Sequence, residues 1–369
     1  MILIISYMND WHSKAVRWSL AQCGVECEEV DSYYLPSTLR MTLEIDAVPT
    51  PRFRYCLGSP TQSLLDLRLA DIRVAWMRRL NDSDFDYSDV HTLDRGIVKR
   101  ECGAFLRNLY ASIQKSGCVC INDENLSKRI DNKAVQLLFA RDAGLTIPST
   151  IISNDSTEVE EFAARHGGSV IVKPFFQELW EDEDGRAIQL ASMASLEQIR
   201  GNGKAISLCP YIYQEAVPKN YELRIVVMGD QIYAIRIDSQ ANEGTRVDWR
   251  ADSASCSLSQ VHIPPEVGER ILQFMRLCGI QFGSLDFVVT PKGEYVFLEI
   301  NEQGQFLWVE RRNPDIRILQ AMTAYLGRCA GLELDVSEIS LDGYFRSTQY
   351  TADSVAYTAA KQAHSQANA

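Results

Sequence analysis

Gly283–Asn301 reads GSLDFVVTPKGEYVFLEIN, two apolar strands around Pro291-Lys292-Gly293. In the second strand, the period of two puts Tyr295, Phe297, Glu299 and Asn301 on one face and Val296, Leu298 and Ile300 on the other. A tight turn on Lys292-Gly293 sets Asp286 directly opposite Glu299. Two carboxylates and an amide oxygen then converge with no positive side chain between them. Like-charge repulsion disfavours such a trio unless a hard cation sits among the oxygens. Mg²⁺ suits it, because Mg²⁺ takes oxygen ligands and keeps positions open for phosphate oxygens. The plainer alternative is that Asp286 and Glu299 are solvated residues on an exposed sheet face. Three oxygen donors converging in so apolar a ribbon favour the metal.

The chain of 369 residues is long enough for two or three domains with a substantial core. A formal net charge of −12 without a long basic run argues against a nucleic-acid partner, which needs a cationic surface. No apolar run reaches the length of a membrane span, and the start, MILIISYM, reads as a first strand rather than a targeting segment. The ten cysteines include no C-x-x-C pair, so zinc spacing is absent and they are expected to be free thiols in a reducing cytoplasm.

Taken in order, Ile2–Ser6, a helix capped by Asp10 or Ser13 and ended by Gly24, and Val25–Val30 form a strand–helix–strand unit. Strands follow at Arg52–Leu57 and Ile72–Met77, then a polar loop Asn81–Asp89 and a helix Arg95–Gln114. This makes residues 1–122 a small α/β domain. Ser127–Ala143 is expected as one helix, closed by Gly144. Strands at Thr150–Ile152, Ser169–Lys173 and within Ile206–Ala216, with a helix Val159–His166, make residues 123–218 a second domain. Leu223–Val227, Gln231–Ile237, the helix Pro265–Cys278, the opening ribbon and a helix Asp315–Ala330 make residues 219–334 a third. Residues 335–369, rich in Ala, Ser and Gln, are expected to be an appendage with a partly disordered end. The fold class is therefore mixed, α/β followed by α+β.

Several side chains are candidates for chemistry. Lys173 ends an apolar strand just before Pro174, where an ammonium is costly unless it meets water or an anion. Lys133 alone reads as a surface charge. Gln214-Glu215-Ala216-Val217 leads from a strand into a connector, whose backbone groups suit an adenine edge. Glu222, seven residues after Glu215, offers a carboxylate to ribose hydroxyls. Arg246 and Arg250, four apart beside Trp249, have forks suited to phosphates and acyl phosphates. Arg224 and Arg236 lie on strands, with no local acid evident for Arg236. For each of these alone, an exposed or structural residue is the ordinary alternative. The five histidines lack metal-ligand spacing, and neither a Walker A pattern nor G-x-G-x-x-G is present.

Lys133, Lys173, Gln214–Val217, Glu222, the arginines and Asp286/Glu299/Asn301 occur in the order of an ATP-grasp ligase, and the chain resembles that family over about 131–301. The finer resemblance is to the graspetide (microviridin-type) peptide ligases. It rests on Val74-Ala75-Trp76-Met77-Arg78-Arg79, Ile121-Asn122, Asp131-Asn132-Lys133, Ala143–Thr150, Ile237–Gln240, Asp248-Trp249-Arg250 and Asn301–Trp308. The resemblance implies an ATP-grasp fold behind an N-terminal pre-ATP-grasp domain. It implies that Lys133 and Lys173 contact the phosphates, Gln214–Val217 hold adenine, Glu222 binds ribose and Asp286, Glu299 and Asn301 carry Mg²⁺. Arg250, with Arg246, steadies an acyl phosphate, and Arg224 and Arg236 face an anion. The implied substrate is a ribosomal precursor peptide, leader plus core, bound by a cytoplasmic homodimer through the strands around Arg224–Gln240. This chain departs from the pattern in Glu302 for a usual proline, Glu222 for a usual Asp, and an acidic loop Gln177–Gly185 without paired glycines. The alternatives are a ligase adding an amino acid to a small acid or peptide end, and a catalytically silent nucleotide- or peptide-binding module.

Overall fold

The computed structural model describes residues 1–7, 10–46, 51–57, 65–78, 85–175, 179–182, 185–188 and 190–367; within 176–189 and 359–367 only the backbone of strands and helix is described. Arg79, the first part of the loop Asn81–Asp89 and the side chains of the acidic loop Gln177–Gly185 therefore lie outside the described residues. The chain divides into two units. One holds Met1–Lys128, Ile280–Gly283 and Glu302–Ala369, and the other Arg129–Gly279 and Ser284–Asn301.

The first unit opens with β1 (Ile2–Ser6), α1 (Trp11–Gln22), β2 (Cys27–Asp31), β3 (Leu39–Glu44), β4 (Arg52–Leu57), β5 (Leu65–Arg68), β6 (Val74–Met77), α2 (Arg95–Lys115) and β7 (Val119–Ile121). A parallel sheet runs β2-β1-β6-β7, and β3-β4-β5 form a separate antiparallel sheet. The continuous apolar run of β1 is buried throughout, as a strand covered on both faces must be. Of the two proposed caps it is Asp10 that starts α1, its carboxylate accepting from the His12 amide at 3.3 Å. Asp10 also pairs with Arg78, which is fully buried beyond β6 and donates to the Gly304 carbonyl at 2.9 Å. Asn122, just after β7, uses both ends of its amide. It donates to the carbonyls of Phe282 at 2.7 Å and Glu302 at 2.9 Å and accepts from the amides of Gln281 and Phe282.

α3 (Glu124–Ile130) leads into the second unit, followed by α4 (Lys133–Asp142), β8 (Thr150–Ser153), α5 (Ser156–Arg165), β9 (Ser169–Lys173), β10 (Leu179–Asp182), β11 (Gly185–Ile188), β12 (Ser192–Ser195), α6 (Leu196–Gly201), α7 (Gly203–Leu208), β13 (Tyr211–Glu215), β14 (Tyr221–Met228), β15 (Gln231–Ile237), β16 (Leu258–Val261), α8 (Pro265–Cys278), β17 (Phe282–Val289) and β18 (Tyr295–Asn301). The single helix expected over Ser127–Ala143 is two. The Asn132 side chain accepts from the Val135 amide at 3.2 Å and starts α4 afresh, so Lys133 is the first helical residue rather than a mid-helix one. Two antiparallel sheets result, β12-β9-β13-β8 and β16-β15-β14-β17-β18.

The ribbon β17–β18 has the expected facing pair, Asp286 opposite Glu299, by an unexpected route. The turn is longer than Lys292-Gly293. Thr290 and Glu294 close it, and Gly293 takes a left-handed φ of 81°. That alone puts the outer ladder one residue out, with Phe287 opposite Phe297 and Val288 opposite Val296. A β-bulge between this part and Asp286 takes up one residue of β18 and restores the pairing. The strict alternation read from the sequence is therefore broken. Phe297 packs in the core on Phe274 and Phe287, while Leu298 and Glu299 both line the cleft described below.

The first unit resumes with α9 (Trp308–Arg312), α10 (Ile318–Cys329), α11 (Leu341–Phe345) and α12 (Thr348–Ala367). Within the expected appendage 335–369, residues 339–344 are anchored. Ile339, Leu341 and Tyr344 are buried, and the buried Glu310 carboxylate accepts from the amides of Leu319 and Leu341 at 2.8 and 2.7 Å. Three apolar anchors among many Ala and Ser are easily lost in a composition average. All ten cysteines are free. Among the described residues no helix is long and apolar enough to cross a membrane.

The edge strand β18 is finished by a side chain. Gln136 on α4 donates to the carbonyls of Ile300 at 3.0 Å and Ile130 at 2.8 Å, and accepts from the Ile300 amide at 3.0 Å. It stands in for one residue of a further strand beside Glu299. Gln136→Leu leaves these buried groups unsatisfied and is expected to cost about 2 kcal/mol or more, read as a lower urea midpoint. An unchanged midpoint contradicts this role.

Candidate functional site

The second unit contains a cleft of ≈ 290 Å³ whose walls come from its two sheets and α4. In β9 (SVIVK) the period of two divides the strand: Val170 and Val172 pack on α5 with Val159 and Phe162, whereas Ile171 and Lys173 line the cleft. Register then draws a row across this sheet, Met193 beside Ile171 beside Gln214. Gln214 is buried and donates to the Thr150 hydroxyl at 3.0 Å. Glu215 is tied to Ser149 twice, its amide donating to the Ser149 carbonyl at 2.9 Å and its carboxylate accepting from the Ser149 amide at 3.2 Å. Ala216, Val217, Pro218 and Lys219 continue along the wall as irregular backbone. An apolar strip beside such a connector suits a flat heteroaromatic base.

At the other end the cleft is crowded with charge. Lys133 Nζ lies 2.7 Å from Glu299 Oε2, and Arg224 Nη1 lies 2.8 Å from Asp286 Oδ1. The expectation that no positive side chain stands near this pair is corrected: each carboxylate has a cation on one of its two oxygens. Burial alone would raise the Glu299 carboxyl, but Lys133, Lys173 and Arg250 outweigh it and bring it down to about 2. Lys173 is pushed down from the usual lysine value, first by burial and then by the charges of Lys133, Lys219 and Arg250, with Glu299 opposing. Glu222 is buried and raised, chiefly by desolvation, although Lys219 Nζ lies 3.1 Å from its Oε1. Arg250 makes a two-pronged pair with Asp248, Nε to Oδ1 and Nη2 to Oδ2, both at 2.8 Å.

The structure gathers Lys133, Lys173, Gln214, Glu215, Ala216, Val217, Glu222, Arg246, Arg250, Asp286 and Glu299 around this one cleft. Arg224 reaches it through Asp286. Asn301 is exposed, opposite Ser284 on β17, and is not part of the lining. Arg236 is not brought to the cleft either. It bonds Asp238 at 2.7 Å and lies 4.2 Å over the Tyr221 ring, so the absence of a local acid inferred from sequence is corrected. Residues 236 and 238 share a strand face, so the partner was readable two places on. Two charged lining residues were given no role from sequence: Lys219, which reads as a connector charge, and Asp248, quoted only within Asp248-Trp249-Arg250. Among the described residues no group of three or more His, Cys, Asp or Glu side chains converges for a metal; the ribbon brings the two carboxylates Asp286 and Glu299 to the cleft, and Asn301 lies two residues further along the same strand. Hard oxygen donors of this kind fit Mg²⁺ completed by phosphate oxygens and water.

No family model matches the chain. Its fold is that of the ATP-grasp ligases. A RiPP-associated ATP-grasp ligase of Chryseobacterium gregarium, solved with ADP and a leader and core peptide, superposes with a TM-score of 0.79 at 24% identity, over 88% of this chain and 96% of that one. The macrocyclase MdnC of Microcystis aeruginosa, bound with the precursor peptide MdnA, gives a TM-score of 0.73 at 25% identity over 87% and 97%. Among curated proteins the chain is similar to the glutamate–LysW ligase ArgX of Sulfolobus acidocaldarius, 25% identical over 54% of this chain and 71% of that protein. It is also similar to the alpha-aminoadipate–LysW ligase LysX of Sulfurisphaera tokodaii, 23% identical over 49% and 62%.

Because the folded value of Lys173 lies below its unfolded one, its charge costs stability at all pH below the folded value and the cost is relieved as pH rises toward the unfolded one. Lys173→Met is therefore expected to raise the thermal midpoint at neutral pH while abolishing nucleotide turnover. A lower midpoint contradicts burial as the dominant influence on this lysine.

Proposed function

We propose that this chain, which has the fold of the RiPP-associated ATP-grasp peptide ligases, is an ATP-grasp ligase that uses Mg²⁺ and ATP to close ester or amide links within a ribosomal precursor peptide. The observation that carries this reading is the ring of Lys133, Lys173, Lys219 and Arg250 around Asp286 and Glu299, beside an apolar strip and a connector. With Mg²⁺ on Asp286 and Glu299, these cations are left to meet the phosphates, as a site for a polyphosphate requires. The likeness to chains solved with leader and core peptides supports the peptide as substrate.

ATP lies with its base on Ile171, Met193 and the Gln214–Val217 connector and its ribose toward Glu222. Asp286 and Glu299, with Asn301 two residues along the same strand, would hold Mg²⁺. When bound, Mg²⁺ neutralises phosphate charge and orients the triphosphate. Lys133 moves from Glu299 onto a phosphate oxygen. Lys173, half-buried at the end of β9, meets the transferred group as a partly desolvated charge. A carboxylate oxygen of the peptide bonds to the γ-phosphorus as the bond to the β–γ bridging oxygen breaks, giving an acyl phosphate and ADP. A hydroxyl or amine of the same peptide then bonds to the acyl carbon and phosphate leaves, with the proton of the nucleophile passing to solvent. Arg250, with Arg246 beside it, steadies the acyl phosphate between the two steps. The protein acts as a cytoplasmic homodimer. The four-domain division and the leader contact near Arg224–Gln240 belong to the same proposal.

The curated relatives support a second reading, addition of an amino acid to a carboxylate, but over only about half of this chain. Mass spectrometry separates the two. With a short peptide carrying clustered Thr/Ser and Asp/Glu, each internal link removes one water, whereas ligation adds a residue. Glu299→Gln is expected to abolish ADP release while peptide binding persists. Near-normal turnover in that variant contradicts the metal role.

A further inference from the structure

We propose that Asp248 is the positioning residue for Arg250, fixing the plane in which its guanidinium meets the transferred phosphoryl group; this rests on the role given to Arg250 above. A free arginine at the edge of a cleft samples many rotamers, and its fork stabilises a developing charge only from one orientation. Here that freedom is removed in two stages. The loop carrying Arg250 is fastened first. Lys219 donates to the Val247 carbonyl at 2.8 Å while paired with Glu222 on β14. The fully buried Thr245 donates to the Ser239 carbonyl at 2.7 Å, and Gln240 to the Arg246 carbonyl at 3.3 Å. The side chain is fastened next. Asp248, 6% exposed, accepts from both Nε and Nη2 of Arg250 and from its backbone amide at 3.0 Å. Three bonds from one carboxylate define the backbone, the edge and the plane of the arginine together. Nothing in Asp248 needs to touch the substrate for this.

The probe is MgADP with aluminium fluoride and acetate, which mimics a phosphoryl group in transit to a carboxylate and needs no peptide. The quantity read is how far fluoride tightens MgADP, by titration calorimetry, in the wild type, Asp248→Asn, Arg250→Ala and the double variant. The wild type is expected to tighten MgADP. Arg250→Ala and Asp248→Asn are each expected to lose that tightening by roughly a hundredfold, the double variant no more than Arg250→Ala alone. Any change in MgADP affinity without fluoride is divided out by reading the ratio of affinities with and without fluoride within each variant, and a merely structural role for Asp248 predicts that ratio unchanged. Full tightening in Asp248→Asn beside a defective Arg250→Ala, or additive losses in the double variant, overturns the positioning role and leaves that of Arg250 standing. Full tightening in Arg250→Ala, or none in the wild type, overturns the phosphoryl-transfer reading of this residue and the inference with it.

Discussion

Glu299 stays ionised in the interior because Lys133, Lys173 and Arg250 surround it, and those cations are tolerable there because Glu299 and Asp286 face them. Neither set is stable without the other. A partly buried cation cluster alone repels itself, and two opposed carboxylates alone do not both ionise. The compromise still leaves Lys173 below its usual basicity, first through burial and then through the charges of Lys133, Lys219 and Arg250. A magnesium–triphosphate complex would relieve it, the metal taking up the carboxylates and the phosphates meeting the cations they release.

The fold serves this balance by bringing each charge from a separate rigid element. Lys133 comes from the capped start of α4, Lys173 from the end of β9, Asp286 and Glu299 from adjacent strands, and Arg250 from the fastened loop after β15. Gln136, three positions from Lys133, makes the junction between α4 and β18 specific by bonding Ile300, the neighbour of Glu299. The β-bulge has a comparable effect. It turns Leu298 and Glu299 together toward the cleft while keeping Phe297 in the core, so one strand lines the site without surrendering its hydrophobic anchor.

Short apolar runs found β9 and β15, the period of two found β18, and charge at strand ends found most of the cleft, because these signals are local. The features missed depend on what a neighbour does. Asp286 meets Glu299 as inferred, but a longer turn and a bulge offset one another, and neither changes the hydrophobic pattern enough to be seen. Continuous apolar spacing across Asp131-Asn132 hid the cap that divides α3 from α4 and redirects Lys133. The cations beside Asp286 and Glu299 come from residues 62 and 166 positions away, beyond the reach of any spacing argument. Arg236 is the opposite case, a nearby acid overlooked.

The most direct measurement is a crystal grown with Mn²⁺ in place of Mg²⁺ and a non-hydrolysable ATP analogue, with the ion located by its anomalous scattering. The account predicts a peak within about 2.0–2.6 Å of carboxylate oxygens from both Asp286 and Glu299, with Lys133 withdrawn from Glu299 onto phosphate. A nucleotide bound with its metal elsewhere, the Lys133–Glu299 pair still closed, would contradict it.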